Sequence, residues 1–270
     1  MKKISRIIEL IQKNSFAVIF IVAIIFVGFT IFSKIFLSKT AYLYAKVRVG
    51  QGYWWVGARP AYWFLPALKK GEVERSLSGN PLAQIISVRY YSSGSIYDVY
   101  LTVKLKTSFN KRTKKYYYKR WQVAVGTPID FEFPEIQVSG TVINISKKPF
   151  NEKYTEKIVH LISLGGYSVS NPYYYENIKV GDKYFDGEDT IFEILDKQLR
   201  KNVWTVTDDQ AFVHERDVYS VQDIVVKAKI KVKQVGNQLF FAEDQVVSFG
   251  NNIRISTPNY GYNFTVIKIE

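Results

Sequence analysis

The feature that most constrains this chain is that it is written twice. GTPIDFEFPEIQVSGTVINI (126–145) lies over GNNIRISTPNYGYNFTVIKI (250–269) without a gap, with identical residues at 126, 129, 134, 141, 142, 143 and 145. Upstream, SIYDVYLTVKLK (95–106) lies over SVQDIVVKAKIK (220–231), and Ser95, Asp98, Lys104 and Lys106 recur as Ser220, Asp223, Lys229 and Lys231. Further back, VRVG (47–50) lies over IKVG (178–181), so the drift in offset falls between matched blocks, where loops tolerate insertions. The reading is two tandem copies, 41–146 and 176–270. Each is long enough to bury its own core and far longer than a solenoid unit.

Within the copies the hydrophobic period is two. Val99, Leu101, Val103 and Leu105 alternate with Tyr100, Thr102, Lys104 and Lys106, and Val226, Ala228, Ile230 and Val232 repeat the pattern. Such alternation marks half-buried strands. A polar turn follows each, NKRTKK in the first copy and QVGNQ in the second, and then another extended aromatic run, so each pair reads as a hairpin. TIFEILDKQLRK (190–201) suits either period and is read as strand from the alignment of the copies. Between the copies, over 147–175, Asn151 stands at a cap position. Tyr154, Ile158, Leu161 and Ile162 follow at one-face spacing and Gly165 and Gly166 close the segment, which predicts a linking helix.

Residues 16–32 are 17 in a row without a charge, and the apolar run reaches Leu37 with one interruption at Lys34. At about 1.5 Å per residue, 16–37 has the length to span a bilayer. Lys2, Lys3, Arg6 and Lys13 in the tail 1–15 would hold the N-terminus in the cytoplasm. A cleaved signal peptide is the rival reading, but the run is long for one, and Lys39 and Leu43 stand where small residues are wanted before Ala41 and Ala45. The expected fold is therefore mainly β: one N-terminal transmembrane helix, then two homologous small antiparallel β-domains, barrel or sandwich, joined by a short helix. The expected location is the cell membrane, with both domains extracytoplasmic.

Charge is placed unevenly. Residues 1–146 hold 21 Lys and Arg against 7 Asp and Glu, and residues 147–270 hold 16 against 17. A basic first copy favours anionic partners. There is no cysteine, which removes disulfides, thiolate metal sites and a Cys nucleophile and leaves the redox compartment open. His160 and His214 have no second ligand at metal spacing, and no Walker, dinucleotide or serine-hydrolase motif is present.

Three stretches invite a function. In DKYFDGEDTIFE, Asp182, Asp186, Gly187 and Glu193 fall at positions 1, 5, 6 and 12 of a calcium loop, but Tyr184 and Asp189 break the pattern, so a turn is preferred and no metal is assigned. Lys111, Arg112, Lys114, Lys115, Lys119 and Arg120 stand among four aromatics and suit nucleic acid, an acidic glycan or phospholipid, against a plain hairpin whose tip is solvated and whose Tyr116 and Tyr118 face the core. Tyr53, Trp54, Trp55 and Trp63 suit a protein interface, a sugar platform or an interfacial belt.

VGDKYFDG (180–187), QDIVVKAKIKV (222–232), and FGNNIRIS followed by FTVIKI resemble a bacterial membrane-anchored family known as a domain of unknown function. In that family a short basic tail and one membrane helix precede a β-domain with VGD, DVYVTI-type and GTIVDI-type motifs. The first copy matches through YDVYLTVKLK and GTVINI and departs at VGQGYWW. The resemblance implies architecture and anchoring and carries no catalytic residue. The expected function is thus a non-enzymatic, membrane-anchored structural or adaptor subunit of a cell-envelope assembly, working with protein partners or as a homo-oligomer and without a cofactor. The alternative is binding of anionic wall polymer by the aromatic and basic surface of the first domain. An exported location argues against nucleic acid.

Overall fold

The structure, a computed structural model, describes residues 15–36, 40–50, 59–93, 96–168, 172–207, 213–257 and 260–270. The chain divides into two compact units, one of Met1–Tyr42 with Lys106–Val123, the other of Leu43–Leu105 with Ala124–Glu270.

The first unit holds helix α1 (Ser15–Phe36) and a hairpin region in which the end of β4 (Ile96–Asn110) pairs with β5 (Lys115–Tyr118), and β5 with β6 (Trp121–Val123). Phe109 packs on Tyr116 with ring centroids 4.8 Å apart, and Tyr118 is buried. A bilayer-crossing helix needs about 20 apolar residues. Among the described residues no helix is long and apolar enough to cross a membrane. The transmembrane reading of 16–37, and the single-pass membrane assignment built on it, are corrected accordingly. The tail 1–14 lies outside the described residues.

The second unit contains the rest of the first repeat and all of the second. In the first, strands run in the order β2 (Val73–Arg75), β3 (Pro81–Ser93), β4, β1 (Thr40–Val49), β8 (Gln137–Ser146), β7 (Pro128–Glu132), all pairs antiparallel. In the second the order is β10 (Lys183–Phe185), β11 (Thr190–Thr207), β12 (Val213–Val235), β9 (Tyr154–Ser168), β16 (Gly261–Ile269), β15 (Asn252–Ser256), again antiparallel. Strands β13 (Gln238–Phe241) and β14 (Gln245–Val246) extend from β12. Adding eight to each strand number turns the first order into the second.

The two sheets share their irregularities. The bulge between Lys46 and Val47 of β1 opposite β8 recurs where His160 and Leu161 of β9 face β16, and the bulge between Ile85 and Ser87 recurs between Ile194 and Asp196. A third, between Glu74 and Arg75, recurs between Tyr184 and Phe185. A bulge inserts one residue at a set register, so its return marks common descent of the sheet more sharply than shared strand order. The turn Gly126–Thr127 bonds to Val142 (2.7 and 3.0 Å) as Gly250–Asn251 bonds to Val266 (2.8 and 2.9 Å), in keeping with the sequence alignment there.

Two readings change. The segment expected as a linking helix is β9, which pairs with β12 and β16 and occupies in the second sheet the place of β1 in the first. Val159 and Leu161 are buried, while Ile158 and His160, on the other side of the strand, are only half-buried. The second sheet thus begins at Tyr154, upstream of the expected start at 176. VRVG is also not the counterpart of IKVG. Gly71 bonds to Ile85 O and Gly181 to Ile194 O, both at 2.8 Å, so KKGE (69–72) matches KVGD (179–182). Both glycines have left-handed φ, +88° and +89°, with open space where a Cβ would stand.

Burial follows the period of two. Val47, Val99, Leu101, Val103, Phe131 and Val142 fill the inner face of the first sheet, and Leu161, Ile194, Val226, Ala228, Ile230 and Phe264 that of the second. The core of the second repeat continues into Tyr91 and Tyr100 of the first.

The matched turns lead to a prediction. Gly71→Ala and Gly181→Ala are each expected to cost about 1–2 kcal/mol, through backbone strain alone. The two losses should agree when read as shifts of the urea midpoint; a cost at only one of them would break the equivalence of the repeats.

Candidate functional site

The unusual chemistry of this fold lies where the second repeat covers the outer face of the first sheet. In a strand of period two, Lys46, Arg89 and Tyr100 should point to solvent. Yet Lys46 is 4% exposed and Tyr100 3%. They are covered by two turns of the second repeat, β10–β11 and β13–β14.

The β13–β14 turn carries Ala242, Glu243 and Asp244. Ala242 (φ +51°) and Glu243 (φ +74°) are left-handed without being glycine. Such a conformation is uncommon for a residue with a Cβ, and here ion pairs surround it. Lys46 Nζ meets Glu243 Oε2 at 2.6 Å and both carboxylate oxygens of Glu152 at 2.9 Å. Lys233 Nζ meets the same acids at 2.8 and 3.0 Å. Tyr154 donates its hydroxyl toward Glu152 (2.9 Å) and Glu243 (3.1 Å). Two cations face two anions, and the cluster balances.

A second balanced cluster stands at the β10–β11 turn. Arg89 of β3 pairs with Asp186 through Nη1 and with Asp189 through Nη2 at 2.9 Å, and Lys231 pairs with Asp189 at 2.8 Å. Asp186 Oδ1 accepts the backbone N–H of Glu188 and of Asp189, which closes the turn. The Arg89 guanidinium lies 4.8 Å from the centre of the Tyr154 ring, so Tyr154 touches both clusters. Backbone contacts add to the joint: Tyr90 N–H donates to Asp186 O (2.8 Å), Ser92 N–H to Tyr184 Oη (3.0 Å), and that hydroxyl to Tyr90 O (3.1 Å). Gly187 is required by this approach. A Cβ there would lie 2.6 Å from Val88 O.

The titrations follow from the geometry. Burial pushes the Glu152 carboxyl up, but the hydrogen bonds and charges of Lys46 and Lys233 prevail and hold it at about 2. Glu243 is also lowered: its burial is outweighed by Lys46 and Lys233. Asp189 is lowered chiefly by its hydrogen bonds to Lys231 and Arg89. Asp244 moves the other way, pushed up by burial against the opposing charge of Arg48, and Tyr100 donates to it at 3.3 Å. Burial raises the phenols of Tyr91, Tyr100 and Tyr154.

Beside the clusters, a cleft lined by Tyr91, Asp98, Tyr184, Asp244, Arg254 and Ser256 has about 50 Å³ of room, enough for a few waters. A second depression of about 170 Å³ lies over Lys183, Glu193, Lys229 and Lys231, and each of these charges is in an ion pair.

The residues singled out from the sequence fare differently. The acids of the calcium-type spacing have other partners: Asp182 accepts Lys179 N–H (2.8 Å), Asp186 pairs with Arg89, and Glu193 pairs with Lys183 and Lys229. Among the described residues no group of three acids or histidines is placed to hold a metal. His160 sits on β9 with Glu270 at 3.1 Å, and His214 pairs in register with Val206. Tyr53, Trp54 and Trp55 lie outside the described residues. Trp63 is 65% exposed on a 3₁₀ turn (Tyr62–Ala67) of the second unit. In the first unit the six cations are all exposed and divide between the two ends of β5: Lys111, Arg112, Lys114 and Lys115 at one, Lys119 and Arg120 at the other. Sequence reasoning passed over Lys46, Arg89, Glu152, Glu243 and Asp244, although an acidic FFAEDQV turn against a basic first copy was a signal available for Glu243 and Asp244.

No family model, no curated protein and no solved structure matches the chain. The resemblance seen in the sequence motifs therefore adds nothing to this site, and its reading rests on geometry.

Two predictions concern the joint. Lys46→Met alone leaves Glu243 buried beside a single cation and should cost about 3–5 kcal/mol, whereas Lys46→Met with Glu243→Met should cost clearly less. Equal losses in single and double variants, by urea unfolding, would show that the pair is not coupled. Carboxylates whose folded pKa is depressed contribute stability above their unfolded value of 4.5 and lose it as pH falls toward about 2. The urea midpoint should therefore drop across that window, and Glu152→Gln should flatten the drop. Asp244 has the opposite sign and recovers part of the loss.

Proposed function

We propose that this protein is a non-enzymatic scaffold that offers two joined β-repeats to protein partners. The observation that carries this reading is the charge balance at the joint. Five buried or half-buried acids and bases at the joint, Glu152, Glu243, Asp186, Lys46 and Arg89, are each held by an opposite charge from within the chain. Groups so held lower each other's reactivity and resist displacement, which suits a fixed joint better than a reaction centre that must exchange protons at neutral pH. The small cleft agrees with this, since substrate sites typically enclose about 300–1,000 Å³.

A scaffold of this kind presents outward the faces that the joint does not use. Lysines of both repeats, Lys115 in the first and Lys179 in the second, are exposed. In-cell crosslinking with a lysine-reactive reagent, read by mass spectrometry, is expected to join one and the same partner protein to both. Crosslinks confined to this chain itself would overturn the scaffold reading.

A further inference from the structure

The two repeats place a turn at the same point between matching strands and use it differently. In the second repeat the turn after β13 begins at Ala242, φ +51°, and in the first the turn after β5 begins at Lys119, φ +51°. The strands that flank them pair alike: Tyr118 faces Trp121 as Phe241 faces Gln245, so the second turn is longer by one residue. In the second repeat this turn is a docking element. Its Glu243 is inserted between Lys46 and Lys233, its Asp244 meets Tyr100, and Gln245 lines the cleft beside them.

In the first repeat Lys119 stands in the place of Ala242 and Trp121 in that of Gln245, with Arg120 alone between them where the second repeat has Glu243 and Asp244. All three are exposed, Trp121 at 74%. Arg120 has no acidic partner among the described residues. The sign of the charge is reversed and the apolar payload is larger. Trp and Arg are the residues most enriched at the energetic centre of protein interfaces, and an exposed Trp flanked by cations is unlike a merely solvated turn.

We propose that the β5–β6 turn, with Lys119, Arg120 and Trp121, is the docking element of the first repeat, and that its partner is a protein whose receiving surface carries carboxylates. The built joint shows how such a turn engages: charges of one sign enter a face that bears the other. Among the described residues, the second-repeat positions that match the receiving face of the joint do not offer those carboxylates. The second-repeat position matching Lys46 is His160, and the one matching Tyr100 is Val225, which is buried. The carboxylate of Glu270 beside His160 is already shared with Lys268 and Lys227. This inference rests on the scaffold reading and names one surface and the chemistry of its partner.

The test is fluorescence anisotropy of a labelled decaglutamate peptide added to the full chain at low salt. Saturable binding is expected, weakened at least tenfold by Lys119→Glu with Arg120→Glu and severalfold by Trp121→Ala, while Lys111→Glu with Arg112→Glu changes it less than twofold. Unchanged far-UV circular dichroism and urea midpoint would show that the variants are folded. The proposal falls if the peptide does not bind, if the Lys111 and Arg112 variant loses as much as the Lys119 and Arg120 variant, or if inorganic polyphosphate of equal charge displaces the peptide with higher affinity. It also falls if sedimentation shows self-association that Arg120→Glu abolishes, because the occupant would then be a second copy. Loss of this binding with the two-repeat crosslinks intact would remove the turn and leave the scaffold; loss of the crosslinks with binding intact would do the reverse.

Discussion

A buried charge is tolerable only with an opposite charge at contact distance, and this requirement organises the joint between the repeats. Lys46 lies on the outward side of β1 and would be an ordinary surface lysine if the second repeat were absent. Covered as it is, it needs Glu243 and Glu152, and they in turn need Lys233. Left-handed backbone at Ala242 and Glu243 is the local strain that this arrangement carries. Tyr154 joins the tetrad to the Arg89, Asp186, Asp189 and Lys231 cluster, lying between them as hydrogen-bond donor on one side and ring face on the other.

The joint is heterologous. Turns of the second repeat meet a sheet face of the first, and no symmetry exchanges the two surfaces. Duplication produces both surfaces in both copies, and the joint uses the turns of the second copy and the sheet face of the first. Divergence has then acted on them separately. At the β5–β6 turn it has placed cations and a tryptophan where the second repeat has Glu243, Asp244 and Gln245, and at the β2–β3 turn it has replaced the Asp186 cap by Ser76, whose hydroxyl accepts Asn80 N–H at 3.2 Å. The strand pairing that flanks the turns has been retained while the charge has changed.

Much of the fold was legible in the sequence, for a physical reason. Strand alternation is local, and Val99 through Leu105 or Val226 through Val232 can be assigned from neighbours alone. The match of 126–145 to 250–269 extends to the hydrogen bonds of the turn at Gly126 and Gly250. The segment 154–168 was misread because Tyr154, Ile158, Leu161 and Ile162 fit a helical face as well as a strand one. Only pairing with β12 and β16 decides between them, and those partners lie far away in the chain. The site was less legible. The cations at both ends of β5 are visible as a run, but Lys46, Arg89 and Tyr100 look like solvent-facing positions until the covering turns are in place.

By itself, then, the sequence determined the duplication, the β class, the alternation that sorts inner from outer side chains, and the surplus of positive charge in the first copy, since each depends on composition or on neighbours within a few residues. The tertiary structure alone decided that β9 is a strand, that KKGE and not VRVG matches KVGD, and that an outward lysine becomes an interior one. These depend on which backbones and surfaces meet beyond the reach of a local pattern, from Gly71 with Ile85 to Arg89 with Asp189, 100 residues apart. Such meetings are set by shape and by charge balance over the whole fold, and no local pattern encodes them.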